Sequence, residues 1–344
     1  MTDRFMPRPT RRVVLAGAAA TATATAWPRI GRAAGIGTDM CSRAESWLSS
    51  LSDTQRAAAM FDFDDPQRLA WTFMYGSQPA PGIRLEQMTA AQKDGALEVL
   101  ATGLSTEGFQ TALNIMLQQD ILRDEWSKGS ADRNRERFSL MIFGTPTADT
   151  PWAWRWEGHH LSLTYTLIGE EVISVTPSSF SSEPNTVPSG PHRGLVVLPD
   201  EESLGRALYT DLNAVNKSVA LLEERSFGNI LTTAGNEGRI SAPAGVPLGD
   251  LPAVQMDIAR RLLDVYTVDH LPGTLAEGQA ARIAGEDLTA VRFGWAGPNE
   301  RDASMYYRLH GETFLIEFAT LRNQPEHHHA IRHDLTRNFG AHRL

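Results

Sequence analysis

The chain has 344 residues, of which 42% are hydrophobic, 32 are Lys or Arg, 41 are Asp or Glu, and one is Cys. These fractions exclude a largely disordered or fibrous chain, and the single cysteine excludes both an internal disulfide framework and a Cys-rich metal site. The net charge of −9 argues against a nucleic-acid partner, because phosphate backbones are bound by clustered cations.

The first 33 residues have the features of an export signal. Arg11 and Arg12 precede an uncharged stretch rich in Ala and Thr, residues 13–27, and small residues follow near Ala33. The adjacent arginines resemble the twin-arginine type, so we expect a periplasmic or secreted protein that engages the export translocase. A basic, amphipathic N-terminus is the alternative. The stretch is too short and too weakly apolar to predict a stable membrane anchor. Without residues 1–33 the chain has 26 basic and 40 acidic residues, a net charge of −14.

Helices and then strands are predicted in the first part of the chain. The capping-box pattern from Thr89 to Gln92 predicts a helix that continues to about residue 104. Apolar periodicity predicts further helices at 52–60 and 107–126. Period-2 alternation predicts a strand within 137–146 and a hairpin over 154–165 that turns at Gly158.

The same order of elements is predicted a second time. Helices are expected at 214–225, 251–266 and 275–283, followed by strands within 291–298 and 307–318 that turn at Gly311. Arg155 and Gly158 lie 153 residues before Arg308 and Gly311. We therefore predict an α+β fold of two pseudo-equivalent halves, 40–180 and 200–344, which can form one compact domain. Coincidence between two generic hairpins is the alternative.

Residues 176–191, at the junction of these halves, are rich in Ser and Pro and predict a loop. Such a segment is either an ordinary linker or a cover for a functional site.

Histidines are concentrated in two places. His327, His328, His329 and His333 lie within seven residues, and His159-His160 follow Gly158 in the first hairpin. On a strand, His327 and His329 would point to the same side, with Cα atoms about 6.5–7 Å apart. Imidazoles at that spacing can converge on one metal ion at about 2.0–2.1 Å.

If the two predicted halves pack about a pseudo-twofold axis, the two histidine clusters could share a cleft. The predicted ligands of a divalent transition metal (zinc, copper or iron) are then His159, His160, His327 and His329. A helix from Ala330 onward would instead make His329 and His333 an i,i+4 pair. A solvated C-terminal tail that binds nothing is the remaining alternative.

Two carboxylates and two arginines are candidates for the chemistry of such a site. Glu317 lies within the apolar run Phe314–Phe318, where a carboxylate is costly unless it is paired or metal-bound, and Asp334 follows the late histidines. Arg155 and Arg308 have aromatic neighbours that include Trp154 and Tyr307. An arginine beside an aromatic ring can bind the carboxylate of a substrate, although a structural arginine stacked across a sheet is an equal alternative.

Several blocks spread over most of the chain follow a known pattern. They are Phe143-Gly144-Thr145-Pro146, Trp152–Trp156, Gly158-His159-His160-Leu161, Thr176-Pro177, Tyr306-Tyr307-Arg308, Ile316-Glu317, His327-x-His329, and Asp334 through Phe339-Gly340. Together they resemble the exported bacterial family known as domain of unknown function 3500. The resemblance implies an exported soluble protein and brings no activity with it. His333 stands where that family has arginine, and Ser181 stands where it favours glycine, which leaves His327 and His329 as the better ligand candidates.

Familiar catalytic motifs are missing: the sequence has no Gly-x-Ser-x-Gly, His-Glu-x-x-His, Gly-x-x-x-x-Gly-Lys or Gly-x-Gly-x-x-Gly. The histidine clusters and the export signal lead us to predict an exported metal-dependent enzyme for a small-molecule substrate, with hydrolysis as the expected reaction. Glu317 or Asp334 would move protons, and the arginines would orient the substrate. Copper or iron would be compatible with oxidoreductase chemistry. The rival interpretation is a non-catalytic protein that binds a metal or a small ligand.

Overall fold

The computed structural model describes residues 35–74, 81–124, 133–147 and 149–344, which form eight α-helices and thirteen strands. The helices are α1 (Ile36–Ser50), α2 (Asp53–Ala59), α3 (Ala90–Thr102), α4 (Thr106–Asp124), α5 (Glu201–Asp211), α6 (Ala214–Ala220), α7 (Ala253–Asp264) and α8 (Gly273–Ala284). The strands are β1 (Met60–Phe61), β2 (Ile83–Arg84), β3 (Ser139–Phe143), β4 (Pro151–Gly158), β5 (Leu161–Ile168), β6 (Glu171–Ser174), β7 (Ser178–Phe180), β8 (Leu221–Glu223), β9 (Val246–Pro247), β10 (Arg292–Ala296), β11 (Tyr306–His310), β12 (Phe314–Leu321) and β13 (Gln324–Asp334). The predicted export signal, residues 1–33, and Trp126 at the end of a predicted helix lie outside the described residues.

Capping residues fix where α2 and α3 begin. The hydroxyl of Thr89 accepts from the N–H of Gln92, and the Gln92 side chain accepts from the N–H of Thr89, which confirms the predicted capping box. Ser52 and Gln55 form the same reciprocal pair at the start of α2. None of the helices in the described ranges is both long and apolar enough to span a bilayer.

One predicted helix is too long. The sequence pattern favoured a helix over 214–225, but α6 ends at Ala220 and the next residues form β8. Leu221 lies in register with Trp295 of β10, so pairing with a strand more than seventy residues away overrides the local helical preference.

All thirteen strands belong to one mostly antiparallel sheet, so the predicted α+β class is confirmed. The strand order is β1-β3-β4-β5-β7-β13-β12-β11-β10-β8, with β2 on β3, β6 on β5 and β9 on β10. The pairing of Ser178 in β7 with Arg332 in β13 carries the sheet from the earlier strands to the later ones. Residues 35–344 consequently form one compact unit.

The strand pairing of the earlier part recurs in the later part. β1 runs parallel to β3, and β3, β4 and β5 follow as antiparallel neighbours. In the same way, β8 runs parallel to β10, and β10, β11 and β12 are antiparallel neighbours. The interpretation of the chain as two pseudo-equivalent halves stays a prediction.

The two faces of the sheet are covered differently. One face packs against helices through large side chains such as Trp154 and Trp295, and we call it the helix-covered face. The opposite face packs against irregular segments that contribute Trp71, Phe73 and Ile230, and we call it the loop-covered face. Because side chains alternate along a strand, neighbouring residues face different surroundings. This alternation decides which predicted site residues can meet.

Candidate metal centre

The turn of the β4–β5 hairpin positions His160. His159 and His160 are the two residues between these strands, and His160 has a φ of 71°, in the left-handed region that tight hairpin turns require. The N–H of His160 donates to the carbonyl oxygen of Phe73, and its own carbonyl oxygen accepts from the N–H of Ser181. A non-glycine residue in this conformation is uncommon and is held here by bonds on both sides.

Strand β13 positions the other histidines. Residues 324–334 are a strand throughout, so His327 and His329 point to the same side, and the alternative of a helix from Ala330 is excluded. His333 lies on the same face but is fully bonded, because its Nε2 donates to the carbonyl oxygen of Thr232 and its Nδ1 accepts from Asn338. His333 therefore has no lone pair left for a metal.

His160, His327 and His329 converge, and we call them the histidine triad. The Nε2 atoms of His160 and His327 are 2.9 Å apart, and those of His327 and His329 are 3.1 Å apart. One ligand atom from each of the three residues lies within 4.8 Å of the others. Nitrogens bound at 2.0–2.1 Å to one metal ion are about 2.9 Å apart at right angles and about 3.4 Å apart in a tetrahedron. The triad is thus close enough to hold a metal ion.

The outer ring nitrogens fix the tautomers of two members. Nδ1 of His329 lies 2.7 Å from Oδ1 of Asn229, and that oxygen also accepts from the N–H of Ile230, so Nδ1 must be the donor. Nδ1 of His327 lies 3.2 Å from Oε1 of Gln324 and 3.4 Å from a carboxylate oxygen of Glu183, both acceptors. Each ring therefore carries its proton on Nδ1 and its lone pair on Nε2.

Two lone-pair nitrogens consequently face each other at 3.1 Å. His160 has one Nε2 proton at most and can satisfy only one of them, so among the described residues at least one nitrogen of the triad lacks a partner. Unpartnered polar atoms are costly in a buried setting. A cation bound by all three lone pairs removes this deficit.

Burial keeps two members of the triad, His160 and His329, uncharged. His160 and His329 are 0% and 1% exposed, and burial is the main reason why the pKa of each lies well below the ordinary value for histidine, with neighbouring histidines adding to the effect. Neutral imidazole is the form that binds metals. The side chain of His327 is 12% exposed, so the triad opens to solvent on the His327 side.

Glu183 is a neighbour of the triad that the sequence did not single out. Ligand atoms of His159, His160 and Glu183 lie within 4.8 Å of one another, and Glu183 also contacts Nδ1 of His327. The buried side chain of Gln118 holds the segment in place, because it donates to the carbonyl oxygen of Pro184 and accepts from the N–H of Glu183. The Ser- and Pro-rich segment therefore lies against the histidines. Glu183 is the one carboxylate in residues 176–191, and this was the sequence signal that could have identified it as a site residue.

His159, the remaining predicted ligand, lies beside the triad. Its ring stacks on the ring of His160 with centroids 3.7 Å apart, and its Nδ1 lies 2.8 Å from Gln119 and 3.0 Å from Arg133. Burial and the charge of Arg133 lower the pKa of His159 well below the usual range. His159 is thus a neutral imidazole that lies beside the site and is difficult to protonate.

The two predicted catalytic carboxylates are engaged elsewhere. Glu317 is fully buried and accepts from the N–H groups of Leu231 and Thr232 and from the hydroxyl of Tyr306, at 2.8, 2.9 and 2.8 Å. Asp334 forms a two-pronged ion pair with Arg282 at 2.7 and 2.9 Å, about 16 Å along the strand from His329. The structure does not bring either carboxylate to the triad.

The predicted substrate-binding residues do not line one pocket. Arg155 lies on the loop-covered face and pairs with Glu157 at 3.0 Å, whereas Trp154 lies on the opposite face and stacks on Tyr165 with centroids 4.3 Å apart. Arg308 and Tyr307 are divided by the sheet in the same way, and the Tyr307 hydroxyl donates to the carbonyl oxygen of Glu201. Neighbours in a strand cannot both contact one ligand on one face.

Comparison with protein families finds a match to the model described as protein of unknown function (DUF3500), over residues 34–341. The chain belongs to the DUF3500 family. This confirms the resemblance inferred from the sequence blocks, and the matched range includes all three members of the triad. Comparisons with curated proteins and with solved structures found no match.

Proposed function

We propose that this DUF3500 protein is an exported metal-dependent enzyme whose histidine triad binds a divalent transition metal and acts on a small molecule, most simply by hydrolysis. The observation that carries the proposal is the pair of lone-pair nitrogens of His327 and His329, 3.1 Å apart and completed by His160. Three imidazoles suit zinc, copper or iron, and three protein ligands leave a coordination position for water or substrate.

Hydrolysis at such a site needs an activated water molecule and a group that moves its proton. A bound metal supplies the first by lowering the pKa of its water toward about 7. Glu183 is a described carboxylate beside the triad and could accept that proton, which reassigns the role first expected of Glu317 and Asp334. Glu183 also orients His327 through Nδ1, as carboxylates often do behind metal-binding histidines.

Turnover of a substrate panel tests the enzymatic part. Native, chelator-treated and zinc-, copper- or iron-reconstituted protein would be incubated with ester, amide, lactone and phosphoester substrates, alongside the variants His329→Ala and His342→Ala. We expect conversion that falls at least 100-fold on chelation and in His329→Ala, returns with metal, and is unchanged in His342→Ala, an exposed control. Conversion that persists in the metal-free protein would overturn the metal-dependent mechanism.

A non-catalytic protein that binds a metal or a small ligand is the second candidate. It is favoured by the structural engagement of Glu317 and Asp334, which leaves the triad without the carboxylates first predicted to catalyse. Stoichiometric metal with no conversion anywhere in the panel would select this function over the first.

We also propose export by the twin-arginine route to the periplasm or the medium, on the strength of Arg11, Arg12 and the apolar stretch behind them. Fractionation of cells that express the wild type and the variant Arg11→Lys/Arg12→Lys tests this. Retention of the variant in the cytoplasm is expected, and equal export of both would contradict the route.

A further inference from the structure

Arg332 is a buried cation on the face of the sheet opposite the triad. It is 3% exposed, and it lies on β13 beside Ala330, which belongs to the helix-covered core. Its Nη2 donates to Oε1 of Gln279, whereas its Nε is buried and has no hydrogen-bond partner in the described part of the chain. The nearby Asp334 is engaged by Arg282, and within the described ranges no carboxylate forms an ion pair with Arg332. A buried guanidinium without an ion pair of its own is costly, so an anionic partner is expected.

Arg332 lines a small enclosed cavity of about 20 Å³ between the sheet and the helices. The other walls include the aromatic rings of Tyr165, Phe180 and Tyr266 and the side chains of Glu201 and His270. About 10–15 Å³ of such space holds one water molecule, so the cavity has room for a group as small as one carboxylate head.

A larger cleft of about 460 Å³ opens next to this cavity and shares two wall residues with it, Glu201 and His270. A π-helical turn, Val265–Asp269, extends α7 between the two spaces: Tyr266 lines the inner cavity, whereas Val265 and Asp269 line the outer cleft. Single π-turns within helices occur often at functional sites. An inner cavity lined by an arginine thus lies next to a larger outer cleft.

The outer cleft has a chemistry of its own. Hydroxyl and amide side chains line one wall, from Thr106, Gln110, Thr111 and Asn114 of α4. Acidic side chains, from Glu107, Asp200 and Asp269, line it as well. Hydroxyl groups of a ligand can bond to both kinds of wall. Arg261 already pairs with Asp200 and Asp269 at 2.8 and 2.5 Å, and within the described ranges no lysine or arginine lines the cleft to hold a second anionic group.

We propose that this pair of spaces binds a small hydroxylated monocarboxylate, such as a sugar acid, with its carboxylate on Arg332 and its hydroxylated body in the outer cleft. The site is independent of the proposed metal centre, because the triad side chains lie on the loop-covered side and β13 lies between them and the cavity. Burial raises the pKa of Glu201 to about 7, so near neutral pH its carboxyl group is protonated in part of the molecules and can donate to a ligand oxygen.

Calorimetric titration of the exported chain with gluconate, glucuronate, acetate, chloride and glucose tests the proposal. We expect at least one of the two sugar acids to bind at least ten-fold more tightly than acetate or chloride, and uncharged glucose not to bind. The same affinity is expected after chelation, which separates this site from the metal centre. No binding of either sugar acid at 10 mM, or equal affinity for acetate or chloride, would overturn it.

Variants locate the binding. Arg332→Gln should weaken sugar-acid binding at least ten-fold, and the exposed control Arg343→Gln should leave it unchanged. If Arg332→Gln does not fold, Gln110→Trp gives the second test, because the exposed Gln110 side chain lines the outer cleft and a bulky ring there should block entry. Unchanged affinity in a folded Arg332→Gln, or in Gln110→Trp, would contradict the assigned site.

Discussion

The β4–β5 and β11–β12 hairpins have the same strand pairing but opposite chemistry at their turns. The first turn consists of His159 and His160 and contributes to the triad. The second turn follows Gly311, and the N–H groups of Glu312 and Thr313 donate to the carboxylate of Glu286. Strand order therefore repeats while the turn residues decide where a metal site can form.

The matched arginines differ in the same way. Arg155 has an ion-pair partner in Glu157, on its own strand. Arg308 lies directly opposite Glu317 in the sheet, but that carboxylate accepts bonds from Leu231, Thr232 and Tyr306 instead. Matched sequence positions thus predict matched backbone positions and leave the chemistry open.

The largest expected effect comes from removing triad ligands. His327→Ala/His329→Ala deletes two of the three nitrogens, so the affinity for zinc should fall at least 1,000-fold. Competition with a chromogenic chelator measures this, with circular dichroism as the folding check. An unchanged affinity in the folded variant would show that the first hairpin and β13 do not form a metal site.

The second hairpin should respond in stability instead. Glu317→Ala leaves the N–H groups of Leu231 and Thr232 and the Tyr306 hydroxyl without their buried acceptor, so the free energy of unfolding should fall by about 3–5 kcal/mol. Denaturant titration measures the loss. Metal content per folded chain should stay constant. A loss of metal from the folded variant would show that Glu317 contributes to the metal site.

Glu183→Gln should have a smaller effect, confined to the first hairpin's site. The amide keeps the shape but loses the charge that supports His327, so metal affinity should fall about 10–100-fold with little change in stability. Glu171→Gln is the control, because Glu171 pairs with Arg343 at the surface. Equal affinities in the two variants would remove Glu183 from the metal centre.

The smallest effect concerns His310 of β11. In the second hairpin this residue occupies the position that Glu157 of β4 has in the first. Burial and the charge of Arg308 lower the pKa of His310 to about 4, whereas burial raises the pKa of Glu157. Because the unfolded chain protonates this histidine near pH 6.5, its contribution to stability is present above that pH and is lost as the pH falls toward 4. Between pH 7 and pH 5, the wild type should lose on the order of 2 kcal/mol more unfolding free energy than the variant His310→Gln. Denaturation curves of the wild type and the variant at pH 7 and 5 check this. The same difference in unfolding free energy between the two pH values in both proteins would contradict the assignment.

The sequence predicted the backbone of the site better than its side-chain partners. Strand alternation placed His327 and His329 on one side, and the matched hairpins suggested that His160 could join them. Alternation also implies that Trp154 and Arg155 face apart, a consequence that the interpretation of aromatics flanking an arginine overlooked. Local patterns sufficed for these positions.

Contacts between distant segments account for the rest. Glu183 reaches the triad because the side chain of Gln118, 65 residues earlier, holds its segment against the histidines. α6 stops at Ala220 because β8 pairs with Trp295. Neither contact leaves a local pattern in the sequence, so neither could be predicted from periodicity or capping.

The metal content of the native protein tests the central claim most directly. Elemental analysis of the exported protein, purified without chelators or added metals, should find about one zinc, copper or iron ion per chain. The same analysis of His329→Ala should find far less, and His342→Ala should match the native protein. Absence of a stoichiometric metal in the native protein, or equal content in His329→Ala, would contradict the account.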